Sequence, residues 1–269
     1  MTLKEKKKLS KDWFIKLQNI ICNTIEKLEE KHGAKIKFKK NKWKNGEFRI
    51  INGEVIEKGG VAFSNVKGKF SRDFAKKIPG AEKNTSFWST GVSVVLHPKS
   101  PRAPSMHFNT RFICTKKNWF GGGMDVTPSI FDFKEKKYFH TELKKMCNLH
   151  NKKYYKRYSK WCDEYFYLPH RKEPRGIGGI FFDYKMDNWE KDFSFVKDVG
   201  FTFNYLVKKI IEKKMSLKWT KKEKEIQLLK RGRYVEFNLM YDRGTKFGLN
   251  SGGNPEAILM SMPPTAKWK

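Results

Sequence analysis

The stretch MHFNTRFI, Met106 to Ile113, sets an imidazole, an amide and a guanidinium at every second position. In a strand, His107, Asn109 and Arg111 point to one side and Met106, Phe108, Thr110 and Phe112 to the other. A row of that make-up can hold or pass a proton, donate hydrogen bonds and grip a carboxylate. A wet sheet face would also explain it. The chain fills its polar positions mainly with Lys and Glu, however, and this row has neither. In GVSVVLH, 91–97, the same alternation puts Ser93 and His97 on one side with Val95. If the two strands pair, Ser93, His97, His107, Asn109 and Arg111 form one polar field.

Two further groups could do chemistry. WFGGGMDVTP sets three glycines before Asp125. It reads as a glycine-rich turn, either a tight turn at positive φ or a close approach of backbone to a ligand with Asp125 aimed at it. It lacks the GxGxxG spacing and the GKS or GKT ending of nucleotide loops. His140 and His170 stand at the ends of an aromatic helical region. With His97 and His107 they could bind a divalent metal, although no HExxH or HxH spacing supports this.

The formal charge of +30 raises the question of nucleic acid. Of 58 basic residues 48 are Lys, scattered among Glu and Asp as on a solvated surface. The arginines are more selective. Arg102, Arg111, Arg171, Arg175, Arg231, Arg233 and Arg243 lie in stretches that also hold His, Gly and aromatic residues. The arginine fork suits carboxylate or phosphate, so this set points to a small anionic ligand rather than a long polyanion. Four distant cysteines without a CxxC suggest reduced thiols in a cytoplasmic protein. No apolar run is long enough to span a membrane, and the N-terminus does not read as a signal peptide.

The elements that must position these residues mix without a regular βα alternation. Residues 10–31 carry apolar side chains at helical spacing, opened by Ser10 or Lys11 and closed by Gly33. The span 35–57 alternates and is broken by Asn-Gly pairs at 45–46 and 52–53, which predicts hairpins. Strands are expected at 91–97 and 106–113, antiparallel across a proline-punctuated loop. Helices follow over 132–166, 194–214 and 218–231, with a turn and strand at 176–184. GRYVEFNLMYDRGT, 232–245, reads as a strand with Glu236 and Asn238 opposite Val235, Phe237 and Leu239. A glycine turn and a short helix close the chain. The expected fold class is α+β, a single domain over residues 1–269 with a large, mainly antiparallel sheet flanked by helices on both sides, and with 1–33 as an N-terminal helical segment.

Several long motifs resemble those of the oxygen-dependent coproporphyrinogen III oxidases. They are GGVAFSNVKG, VSVVLHPKSPRAPSMHFNTRF, WFGGGMDVTP, KWCDEYFYLPHRKEPRGIGGIFFD, GRYVEFNLMYDRGTKFGL and ILMSMPP. The likeness runs nearly collinearly from about residue 55 to 268. It implies oxidative decarboxylation of two propionates of coproporphyrinogen III to vinyl groups, giving protoporphyrinogen IX in haem biosynthesis. Molecular oxygen is the co-substrate and no organic cofactor is needed. By resemblance, His107 matches the proton donor and Asp125 an acid facing the pyrrole N–H groups. Ser93, Asn109, Thr110, Arg111, Gly252, Gly253 and Asn254 match substrate-binding positions, Asn254 standing where many members have Arg. His97, His107, His140 and His170 match histidines assigned to a divalent cation, with manganese the candidate ion. The resemblance also implies a homodimer, with about 234–269 as the dimerisation segment, and no nucleic-acid partner.

Overall fold

A computed structural model describes residues 1–250 and 253–269. The expected Gly252 lies outside the described residues. Helix α1 (Leu3–Lys31) leads into strands β1 (Lys39–Trp43), β2 (Gly46–Ile51) and β3 (Ile56–Lys69) and a short α2 (Arg72–Ala75). Strands β4 (Ser86–Pro98), β5 (Ser105–Cys114) and β6 (Asn118–Thr127) follow, then helices α3 (Phe133–His150) and α4 (Tyr154–Tyr165). A two-residue pair, β7 (Tyr167–Leu168) and β8 (Glu173–Pro174), precedes β9 (Gly179–Lys185). Helices α5 (Trp189–Lys214), α6 (Lys221–Met240), α7 (Arg243–Asn250) and α8 (Pro255–Leu259) complete the chain. Seven strands form one antiparallel sheet in the order β1-β2-β3-β4-β5-β6-β9. The α+β expectation holds.

The sheet has two unlike faces. On one, Phe108, Phe112 and Phe120 are fully buried beneath α1 and α5. Phe108 stacks on Phe203 of α5 with ring centroids 4.8 Å apart. Helix α1 meets this face with Phe14, Leu17, Ile21 and Ile25, spaced to form one stripe and all fully buried. The helix starts earlier than Ser10 because Thr2 and Glu5 form a capping box. Lys6 and Lys7 of its first turns lie over the rings of Trp189 and Trp88. The opposite face carries the odd-numbered residues of β5. Helix α8 covers its β2–β3 side, where Ala257 and Met260 pack with Phe48 and Ala62.

Two local expectations are corrected. WFGGGMDVTP is not a turn: it is the continuous strand β6, and Gly121, Gly122 and Gly123 all keep φ outside the left-handed region. These glycines serve space instead. A side chain at Gly121 would drive into the carboxylate of Asp183 and crowd Arg111. Residues 232–245 are not a strand either. Helix α6 runs on to Met240, and its buried side chains Gln227, Arg231, Tyr234, Phe237 and Asn238 recur at helical spacing. The alternation of Val235, Phe237 and Leu239 misleads, because only Phe237 of the three is fully buried and Leu239 is exposed.

All four cysteines are free and buried. Burial pushes the thiols of Cys22, Cys114 and Cys147 up to about 12. Among the described residues, no helix is long and apolar enough to cross a membrane.

Candidate active site

Antiparallel register assembles the polar face row by row. Ser93 pairs with Asn109, which pairs with Gly123. Val95 pairs with His107, which pairs with Asp125. Gly91, Arg111 and Gly121 form the next row. Small residues therefore stand beside the polar ones: Gly60, Ala62, Gly91, Ser93, Gly121 and Gly123 keep the floor of this face low.

A line of hydrogen bonds crosses that floor. Arg175 Nη2 donates to Asp125 Oδ1 at 2.6 Å. His107 Nδ1–H donates to the same Asp125 oxygen at 2.7 Å. That leaves His107 Nε2 as an acceptor, and Asn109 Nδ2 donates to it at 3.2 Å. Arg111 Nη1 reaches Asn109 Oδ1 at 3.4 Å, and its Nη2 pairs with Asp183 Oδ2 at 2.7 Å. The order fixes both the tautomer of His107 and the orientation of the Asn109 amide, because each donor meets an acceptor only this way round. The line runs from a sealed end to an open one. The side chains of Arg175 and Asp125 are 1% and 2% exposed, those of His107 and Arg111 14% and 31%.

Arg175 holds the sealed end. Its guanidinium carbon lies 4.0 Å from the ring centre of Phe166 and 4.7 Å from those of Tyr234 and Phe237. Three aromatic faces and one carboxylate thus compensate a buried cation. Burial alone would raise the Asp125 carboxyl, but Arg175 and the His107 hydrogen bond override it and hold the group below the usual carboxylate range. A permanent carboxylate behind Nδ1 orients the imidazole and stabilises a proton arriving at Nε2.

The other expected residues are placed unevenly. Ser93 joins the floor beside Asn109. The side chain of Thr110 goes to the opposite face and is buried there, 1% exposed. Asn254 caps α8, its Oδ1 accepting from the N–H groups of Glu256 and Ala257. Gly253 donates to the carbonyl of Gly248. The arginine set is mostly spoken for. Arg102 pairs with Glu223, Arg171 with Glu236, Arg231 with Glu57 and Arg233 with Glu173. Among the described residues only Arg243 of that set lacks an ion pair. It lies 5.0 Å from the ring centre of Tyr165 and 5.9 Å from that of Phe181. The reading of the set as free forks for a ligand is therefore corrected to two side chains open to solvent on this side, Arg111 and Arg243.

The four histidines do not gather. His97 donates from Nε2 to the carbonyl of Ser261 at 2.9 Å and accepts at Nδ1 from Ser105 at 3.2 Å. Burial pushes it down to about 3, so it stays neutral. His140 donates to the carbonyl of Ile177 and accepts from Tyr155. His170 donates to Glu236 and accepts from Tyr241. Among the described residues, no group of three His, Cys, Asp or Glu side chains is disposed to hold a metal ion. The ligand set expected from the resemblance does not fit a metal within one chain.

Asp183 and the aromatic cradle of Arg175 were not legible beforehand. Asp183 reaches Arg111 only through the β6–β9 register, where an irregularity follows Phe120.

A glycine-floored face with an oriented imidazole and a solvent-facing guanidinium has the groups to pass a proton and to hold an anion. The family model described as coproporphyrinogen III oxidase matches residues 10–269. The oxygen-dependent coproporphyrinogen-III oxidase of Rickettsia bellii (strain OSU 85-389) is 50% identical over 276 residues, covering 98% of this chain and 99% of that protein. That of Rickettsia akari (strain Hartford) is 49% identical over 275 residues with the same coverage. The chain belongs to the coproporphyrinogen III oxidase family.

Proposed function

We propose that the chain carries out the oxygen-dependent oxidation of coproporphyrinogen III to protoporphyrinogen IX. The observation that carries this reading is the line Arg175–Asp125–His107–Asn109–Arg111 on a floor of glycines, in a chain about half identical to enzymes of that name.

The substrate is a flexible tetrapyrrole bearing four carboxylates, and two propionates react. At each, the carbon next to the pyrrole loses hydrogen with both electrons to oxygen. The terminal carbon–carboxylate bond then breaks, and its electron pair becomes the second bond of the vinyl group. Carbon dioxide leaves, and one proton joins the reduced oxygen to give hydrogen peroxide. Propionate, oxygen and a proton thus balance vinyl, carbon dioxide and peroxide. The electron-rich pyrrole supplies the reducing power, so the protein's share is orientation and proton management.

In this reading Arg111 takes a carboxylate in place of part of its contact with Asp183, and Arg243 offers a second fork nearby. His107 presents Nε2 to the reacting side chain, and Asp125 stabilises its protonated form. Ser93 and Asn109 supply polar contacts on the floor, while Gly253 and Asn254 stand at the start of α8, which borders it. We assign the protein to the cytoplasm, in keeping with its unpaired thiols, and to a homodimer through about 234–269.

The test is incubation with coproporphyrinogen III in air, in air with a chelator, and without oxygen, with porphyrins resolved after oxidation. Protoporphyrin formed only with oxygen and undiminished by the chelator is the expected result. Binding without product would make the chain a carrier of the tetrapyrrole. Loss of product on chelation would restore a metal to the reaction.

A further inference from the structure

One end of the sheet exposes aromatic side chains that the fold does not use. Phe131 and Phe133 are 63% and 68% exposed and flank Asp132, the N-cap of α3. Lys214, at the end of α5, reaches across to that cap. Its Nζ lies 3.1 Å from Asp132 and 2.8 Å from Glu135. The segment before α3 and the connection from α5 to α6 are thereby held side by side. That connection exposes Leu217 and Trp219, 45% and 41%. Phe131, Phe133 and Leu217 belong to none of the buried clusters among the described residues.

The charges around these tips are of one sign. The acids of the flanking helix ends are engaged: Asp132 and Glu135 by Lys214, Glu212 by Lys31, Glu223 by Arg102. Lys134, Lys213, Lys218, Lys221 and Lys222 are exposed and form no ion pair among the described residues. The patch is therefore apolar at its tips and cationic around them, in a chain of formal charge +30.

Protein–protein interface cores are depleted of Lys, which argues against a protein occupant. A bilayer with acidic headgroups accepts both parts of the patch. Aromatic rings settle at the boundary of headgroup and acyl chain, and lysines meet the negative surface. We propose that this end of the molecule docks on the surface of an anionic phospholipid bilayer. The contact is peripheral, since no described helix can span one. It lies at the end of the sheet where Thr127 pairs with Ser105, two residues before His107. Docking would thus set the membrane at the same end of the sheet as the catalytic line.

The experiment is sedimentation of the full chain with vesicles of phosphatidylcholine alone, or with about a third phosphatidylglycerol. Binding is expected to the anionic vesicles only, and to weaken as salt rises. The double variant Phe131→Ser, Phe133→Ser is expected to bind about tenfold more weakly or worse, with melting and activity in solution unchanged. No binding to anionic vesicles would overturn the proposal. So would undiminished binding by the double variant, which would leave only diffuse charge attraction. A changed oligomeric mass in that variant would overturn it too, by showing that a second copy of the chain covers the patch.

Discussion

Phe108 and His107 are neighbours in the chain and lie on opposite faces of one sheet. Phe108 is fully buried against Phe203, a contact whose value is the water it excludes. His107 keeps part of its ring open to solvent, and its value lies in the direction of its nitrogens. The comparison teaches that one strand serves stability and chemistry at once, because successive side chains cannot interfere across the sheet. It also shows where the division fails. Asp125 and Arg175 are on the chemical face, yet they are as buried as the core.

That failure predicts the largest effect. Asp125→Ala leaves the Arg175 guanidinium buried without its carboxylate, at a cost of about 3–5 kcal/mol. Denaturant unfolding should show that loss, and turnover should vanish in whatever remains folded. Unchanged stability would mean that the aromatic cradle alone suffices for the cation.

The next effect is a crossed pair. Phe108→Ala should cost about 3–5 kcal/mol of stability while the folded fraction keeps its turnover. His107→Ala should keep its melting temperature and lose on the order of a hundredfold or more in turnover. If the two variants fail in the same assay, the faces are not independent. Arg111→Ala should come third, raising KM roughly tenfold with a smaller change in kcat, as expected for a lost charge-assisted contact to a carboxylate. An unchanged KM would remove it from substrate binding.

The effect that is smallest at neutral pH, and grows only in acid, concerns His97. His97 is neutral and buried in the fold at about 3, against about 6.5 for a free imidazole. The unfolded chain thus takes up this proton first. The stabilisation is complete above about pH 6.5 and declines as pH falls toward 3. His97→Gln should flatten that part of the acid unfolding curve, removing up to about 1.4 kcal/mol of stability change per pH unit between about pH 6.5 and 3. A parallel curve would show that other groups govern acid unfolding.

How much was legible depended on range. The β5 alternation and the pairing with β4 could be read from the chain, because period two and a short connection are local signals. The same period misled at Val235, Phe237 and Leu239, where helix α6 passes through with only Phe237 buried of the three. The three glycines before Asp125 suggested a bend, since the chain does not say whether glycine is needed for conformation or for room. Asp183 was invisible as a partner of Arg111, 72 residues away, until the β6–β9 register was known. The histidines illustrate the reverse. A likeness of motifs grouped them, while the geometry gives each of His97, His140 and His170 its own hydrogen-bond partners.

The buried thiols have a consequence for durability. On the proposed reaction the protein releases hydrogen peroxide twice for each tetrapyrrole it finishes. Peroxide attacks thiolate rather than thiol. With the thiols of Cys22, Cys114 and Cys147 pushed up to about 12, only about one in a hundred thousand is ionised at neutral pH. Seating every cysteine in the interior therefore lets the catalyst outlast its own by-product.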